Sequence, residues 1–231
     1  MSDATSRGRF ARAASEFVLI VAGVSVALAA DSLWDFRQDR AAEREYLAQL
    51  RADLTENETR LVAALDLERQ QAQAAQRALD ALATGGPIAP DSAQLWLMEE
   101  RGLFYSDPRP ITGTLSALVQ TGDLRLIRDL ETRNALVSYL AQITADKTEF
   151  DRFVDESLTG IRMLRASGAA PAVAWGELGD AAIRGFLRRP VPTDAPIALE
   201  HIITASELRQ VYLTRMLEAT EATARALDQA G

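Results

Sequence analysis

His201 is the single histidine of a 231-residue chain that has no cysteine. Those two facts bound the reactions the sequence can support. Paired-histidine zinc motifs, thiolate metal sites, disulfides and cysteine nucleophiles are excluded, and a Ser-His-Asp relay depends wholly on His201. Glu200 precedes it, but neighbouring helix positions point about 100° apart, so the two side chains do not cooperate. Di-iron bundles repeat a Glu-x-x-His motif, a design one histidine cannot fill. Gly85-Gly86 has no lysine nearby, so the G-x-x-x-x-G-K-[ST] phosphate loop is absent. The many carboxylates lie on helix-like stretches, where solvated faces account for them. No catalytic, cofactor-binding or metal-binding residue emerges, and a protein that is not an enzyme is expected.

Lys147 is the only lysine. It interrupts an apolar stripe of Leu136, Leu140, Ile143, Phe150, Val154, Ile161 and Leu164, spaced by threes and fours. The expected arrangement buries its stem and leaves the ammonium at the bundle edge, with a buried partner or ligand contact as the alternative. Three of the 25 basic and two of the 33 acidic residues lie before residue 17, which leaves the rest at net −9. Such a domain repels phosphate backbones, so nucleic acid is not an expected partner.

The element that must carry everything else is the N-terminal quarter. Arg7, Arg9 and Arg12 precede the uncharged run Phe17–Ala30, which passes without a turn residue into Asp31, Trp34 and a charged helical stretch. Fourteen uncharged residues are short for a hydrocarbon core of about 30 Å. A span therefore needs residues 13–34, with Glu16 and Asp31 at the two interfaces and Phe10 and Trp34 as aromatic anchors. A cleaved signal peptide is the competing reading, with Ala27-Leu28-Ala29 as its cleavage site. Glu16 at the start of the apolar run and the unbroken helical composition beyond it argue against cleavage. Arginines tie across the span, three on each side, and a short basic tail favours the N-terminus inside. On the helical rotation Glu16, Gly23, Ala27, Ala30 and Trp34 fall near one line, and Gly23-xxx-Ala27 permits close approach of another membrane helix.

These residues resemble a family of bacterial single-pass membrane proteins of unknown function. The resemblance is carried by Glu16, Gly23, Ala27-Leu28, Trp34, Glu45-Tyr46-Leu47, Leu50 and Asp53-Leu54, and by a second block, Leu118 to Asp129, followed by Leu136 and Tyr139. It covers about a third of the chain. Ala29-Ala30 departs from it, where a more polar exit from the membrane is expected. The resemblance implies an uncleaved anchor in the bacterial inner membrane and supplies no activity.

Beyond the anchor, Leu47, Leu50, Leu54, Leu61, Leu65, Ala72, Ala75, Leu79 and Leu82 form a stripe that ends at Gly85-Gly86-Pro87. Asn57 and Glu68 fall where a coiled coil wants apolar residues, so the stripe is read as drifting off a strict heptad and packing into a bundle. Asp91 or Ser92 is expected to cap a short helix with Leu95, Trp96 and Met98, and Pro108-Arg109-Pro110 marks a loop. Leu115–Val119 is a brief helix closed by Gly122, and Leu124–Ile127 is expected to be extended. Asp129 caps the second long helix. A loop-like region holds one short helix near Asp180–Leu187, and a final helix runs from about Ile197 to Leu227.

The expected fold is all-α: a basic tail (1–12), a transmembrane helix (13–34), and an acidic bundle of antiparallel helices (35–231) continuous with it. The expected function is a non-enzymatic, membrane-tethered interaction or scaffold module, with the bundle in the periplasm. Its expected partners are the bilayer and either a second copy or another membrane protein. The alternative is a ligand-sensing domain that signals through a partner membrane protein. Polar groups converging on a pocket at Lys147 or Arg128 favour sensing, and a filled core favours the scaffold.

Overall fold

Eighty-one residues, Ala4–Thr84, form one helix, α1, in the computed structural model of the chain. The structure describes residues 4–90, 107–166 and 193–229, and of α1's side chains those from residue 24 onward except 27 and 29. Neither Gly nor Pro occurs between Val24 and Thr84, and at the usual helical rise the element is about 120 Å long. It stops where glycine permits. Gly85 adopts φ +65°, its N–H bonds the Leu82 carbonyl, and Gly86 N–H reaches back to the Ala81 carbonyl at 2.8 Å. These are the paired bonds that close a helix through a left-handed residue.

Among the described residues three further α-helices follow: α2 (Gly113–Thr121), α3 (Leu130–Ala166) and α4 (Ala195–Gln229). Among the described residues there is no strand. Asp129 caps α3, its Oδ2 accepting the Thr132 N–H at 2.6 Å. Pro196 sits in the first turn of α4, where a missing N–H leaves no bond unmade. The final helix thus begins two residues before Ile197 and extends two beyond Leu227.

Helix α4 is the centre of the bundle and antiparallel to both partners. Against α1, Arg51 meets Asp228 and Glu68 meets Arg209. Against α3, Thr132 meets the Ala226 carbonyl, Asp146 meets Arg215, and Gly160 lies under Ala198. A row of buried residues alternates by fours and threes along α1 and α4. On α1 it runs Glu43, Leu47, Leu50, Leu54, Asn57, Leu61, Ala64, Glu68, Gln71, Ala75, Ala78. On α4 it runs Leu199, Ile202, Ser206, Arg209, Leu213, Met216, Thr220, Thr223, Leu227. The expected drift off the heptad is therefore corrected: Asn57 and Glu68 hold heptad positions, and both are fully buried.

One element differs in kind from its expectation. Leu124–Ile127 is not extended; Asp123–Leu126 forms a 3₁₀ turn and only Ile127 has extended backbone. Gly122 at φ +79° reverses the chain just before it. No neighbouring strand offers ladder bonds there, so local bonds such as Ile127 N–H to the Leu124 carbonyl take their place. Ile127 is buried all the same.

Along α1 the Phe36 ring meets Arg128, and Glu43 is the first buried side chain among those described. Among the described residues no helix is long and apolar enough to cross a membrane. Most side chains of the expected span, 13–34, lie outside the described residues, including those of Glu16, Gly23 and Ala27. The helices expected near Leu95 and near Asp180–Leu187 also lie outside them.

Candidate functional site

Arg209 ties the three long helices together. Its Nη2 lies 2.8 Å from Glu68 Oε2, 3.3 Å from Gln71 Oε1 and 3.1 Å from Ser206 Oγ, and its Nη1 donates to the Phe153 carbonyl of α3 at 3.1 Å. The Ser206 hydroxyl donates in turn to Glu68 Oε2. This polar layer separates two apolar clusters. One is built from large side chains, among them Leu61, Phe150 and Leu213; the other from Ala75, Ala78, Ala195, Ala198, Leu199 and Ile202. Small residues let α3 and α4 approach closely beyond the layer. A Cβ at Gly160 would lie 2.8 Å from the Ala198 carbonyl oxygen.

A second polar cluster pins the loop that leads into α2. The Asn57 amide donates to the Ile111 carbonyl and accepts from the Ile111 N–H, at 2.9 and 2.6 Å. It also donates to the Tyr139 hydroxyl at 3.0 Å. One turn earlier, Asp53 accepts from the Thr114 hydroxyl at 2.6 Å. Burial pushes the Tyr139 phenol above its ordinary value, an effect the bonds from Thr220 and Asn57 only partly offset.

Lys147 behaves as expected of a lysine at a bundle edge. Its ammonium pairs with Asp107 at 3.2 Å and with Asp151 on its own helix. Burial alone would lower the lysine and raise Asp107. The opposing charges outweigh it, so Lys147 is held above its ordinary value and Asp107 below. Beside them an open cleft of about 460 Å³ is lined by Arg60, Ala63, Ala64, Leu67, Asp107, Pro108 and Arg109.

Where α1 leaves the bundle, Arg128 lies 4.4 Å from the centre of the Phe36 ring, and its amide donates to Glu43 Oε1 at 2.8 Å. His201 Nδ1 lies 2.8 Å from Glu156 Oε1 on α3, at the surface. Its partner is thus not the adjacent Glu200. Among the described residues no group of three or more His, Asp or Glu could hold a metal ion.

Of the expected membrane-face residues, Ala30 and Trp34 are described. Both are exposed and lie on the side of α1 away from the bundle. Arg209, Ser206 and Gln71 were missed as site residues. Their signal is the heptad itself, visible once polar residues are allowed to occupy it. No protein family, curated protein or solved structure matches the chain.

Proposed function

We propose that this chain is a non-enzymatic helical interaction module tethered to the bacterial inner membrane, with residues 13–34 as an uncleaved span and the bundle on the periplasmic side. The observation that carries the reading is the exposure of Val24, Val26, Leu28, Leu33 and Trp34, each more than half accessible on a helix that runs on unbroken into the bundle. Large apolar side chains exposed on every side of a helix need an occupant, and a bilayer suits the end of a helix whose preceding residues, 17–22, are apolar throughout. Twenty-two residues of helix reach about 33 Å, enough for the hydrocarbon core. Trp34 then sits at the depth where indoles prefer the interface.

The state of the polar groups supports a scaffold over a sensor. Lys147 is engaged by two carboxylates, and Arg128 by Glu43 and the Phe36 ring. The line Glu16, Gly23, Ala27, Ala30 and Trp34 supplies a small-residue face for a neighbouring membrane helix. Carbonate extraction of membranes, with intact mass and protease shaving of spheroplasts, tests the tether. Retention in the pellet, an N-terminus before residue 13 and cleavage of the bundle from outside are expected. Release into the supernatant, or a mass starting near Ala30, overturns it.

A further inference from the structure

Between Ala30 and Ala48, α1 has four distinct sides. Phe36, Glu43 and Leu47 face the bundle, where Arg128 and the buried heptads meet them. Roughly opposite, on a rotation of about 100° per residue, Trp34, Ala41, Glu45 and Ala48 form an outer side, all exposed. The charges are sorted onto the two flanks. Asp31, Asp35 and Asp39 lie on one and Arg37, Arg40 and Arg44 on the other, the two about 170° apart. All six are exposed.

Several other stretches place opposite charges three or four apart: Glu56 with Arg60, Asp66 with Arg69, Glu149 with Arg152, Glu221 with Arg225. Here like charges stack at that spacing, Asp31 over Asp35 over Asp39 and Arg40 over Arg44, which destabilises a lone helix. Among the described residues no ion pair engages Asp31, Asp35, Asp39 or Arg37.

We propose that a second copy of this chain packs in parallel against the outer side of α1 between Ala30 and Ala48. A two-fold axis along that side brings the acidic flank of each copy against the basic flank of the other, the arrangement that flanking charges make across a parallel helix pair. One chain carries both halves of the match, three acids and three arginines at overlapping heights, so a copy supplies the complement. Asp39 and Arg40 differ by a single residue of rise. Ala41 and Ala48 leave little between the two backbones, while Glu45, rotated about 40–60° from them toward the acidic flank, joins the acids that meet the partner's arginines. Each bundle lies on the far side of its own α1, so the two bundles do not collide. The parallel alignment rests on the proposed membrane tether, which holds both helices in one direction and raises their effective concentration.

The absence of cysteine makes the test specific. Full-length Ala41→Cys in membranes is expected to give a disulfide-linked dimer on mild oxidation, and Phe36→Cys, facing the bundle, is expected not to. With Ala41→Cys as reporter, reversing the acidic flank (Asp31→Arg, Asp35→Arg, Asp39→Arg) should cut the dimer by about tenfold, because both flanks then repel. Reversing the basic flank (Arg37→Glu, Arg40→Glu, Arg44→Glu) should do the same. Co-expressing the two variants under different tags should restore crosslinking, and only between unlike copies. That recovery also shows that both variants fold. Equal crosslinking of the parent and both variants, no dimer in the parent, or no recovery on mixing overturns the proposal. Carbonate extraction of the same membranes separates the two readings. A pelleted protein without crosslinks rejects the dimer alone, and a released protein rejects the tether, after which crosslinking of the purified chain decides the dimer.

Discussion

Glu68 Oε2 and Arg209 Nη2 meet 2.8 Å apart in the middle of the bundle, with side chains 0 % and 2 % exposed. Two charges removed from water are tolerated only when their attraction and hydrogen bonds replace the lost solvation. Gln71, Ser206 and the Phe153 carbonyl add further bonds to the guanidinium. Removing one partner should therefore cost more than removing both. Arg209→Met is expected to lower stability by about 3–5 kcal/mol, and Arg209→Met with Glu68→Leu by clearly less. Chemical denaturation at neutral pH measures both. A double variant no more stable than Arg209→Met would show that the layer is not held by the pair.

Asn57 occupies a heptad position that Leu would fit by packing alone. Its amide instead stands in for a backbone group and pairs with both polar atoms of Ile111. Asn57→Leu would leave that N–H and carbonyl without their partner, at about 1–3 kcal/mol for each buried group. A loss of about 3 kcal/mol is expected, together with faster proteolysis between Asp107 and Ile111. Unchanged proteolysis would mean that Asp53 and Thr114 hold the loop without it.

The helices and their ends were legible because their signals are local: Gly85-Gly86, Gly122, the Asp129 cap and the long stretch free of Gly and Pro. The heptad was legible only in part. Treating Asn57 and Glu68 as interruptions hid that Ser206 and Arg209 interrupt α4 in the same layer, and the pairing spans 141 residues of sequence. No spacing rule within one helix reports a partner on another. His201 shows the same limit: its neighbour Glu200 points elsewhere, and its partner Glu156 comes from α3. Alternating apolar residues suit a buried strand and a buried 3₁₀ turn alike, so at Asp123–Leu126 only the absence of a sheet among the described residues separates the two.

Gly160 marks a close approach of α3 to α4. A methyl group there would meet the Ala198 carbonyl oxygen at 2.8 Å and His201 Cβ at 3.1 Å. Both are held by helix backbone, so the helices must part. Gly160→Ala gains about 1 kcal/mol of helix propensity but is expected to lose about 1–3 kcal/mol net to overpacking. Gly113, where an added Cβ meets nothing within 4 Å, is the control. Gly113→Ala should leave the thermal midpoint within a few degrees of the parent.

The ion pair of Asp107 and Lys147 joins the 107–112 loop to α3. Asp107 titrates below its ordinary 3.8 because Arg109 and Lys147 outweigh burial, and Lys147 titrates above its ordinary 10.5 because Asp151 and Asp107 do the same. A depressed carboxyl contributes stability that is present above 3.8 and lost as pH falls through its folded value. A raised ammonium contributes stability that is complete below 10.5 and lost as pH rises through its folded value. The side chains are 23 % and 25 % exposed, so the pair is worth about 1 kcal/mol. Lys147→Met keeps an apolar side chain of similar length and removes the charge. The stability difference between parent and Lys147→Met should therefore be flat from about pH 5 to 9 and shrink below 3.8 and above 10.5. Urea midpoints measured every half unit of pH resolve that plateau. A difference independent of pH across the whole range would assign the effect of Lys147 to packing rather than to charge.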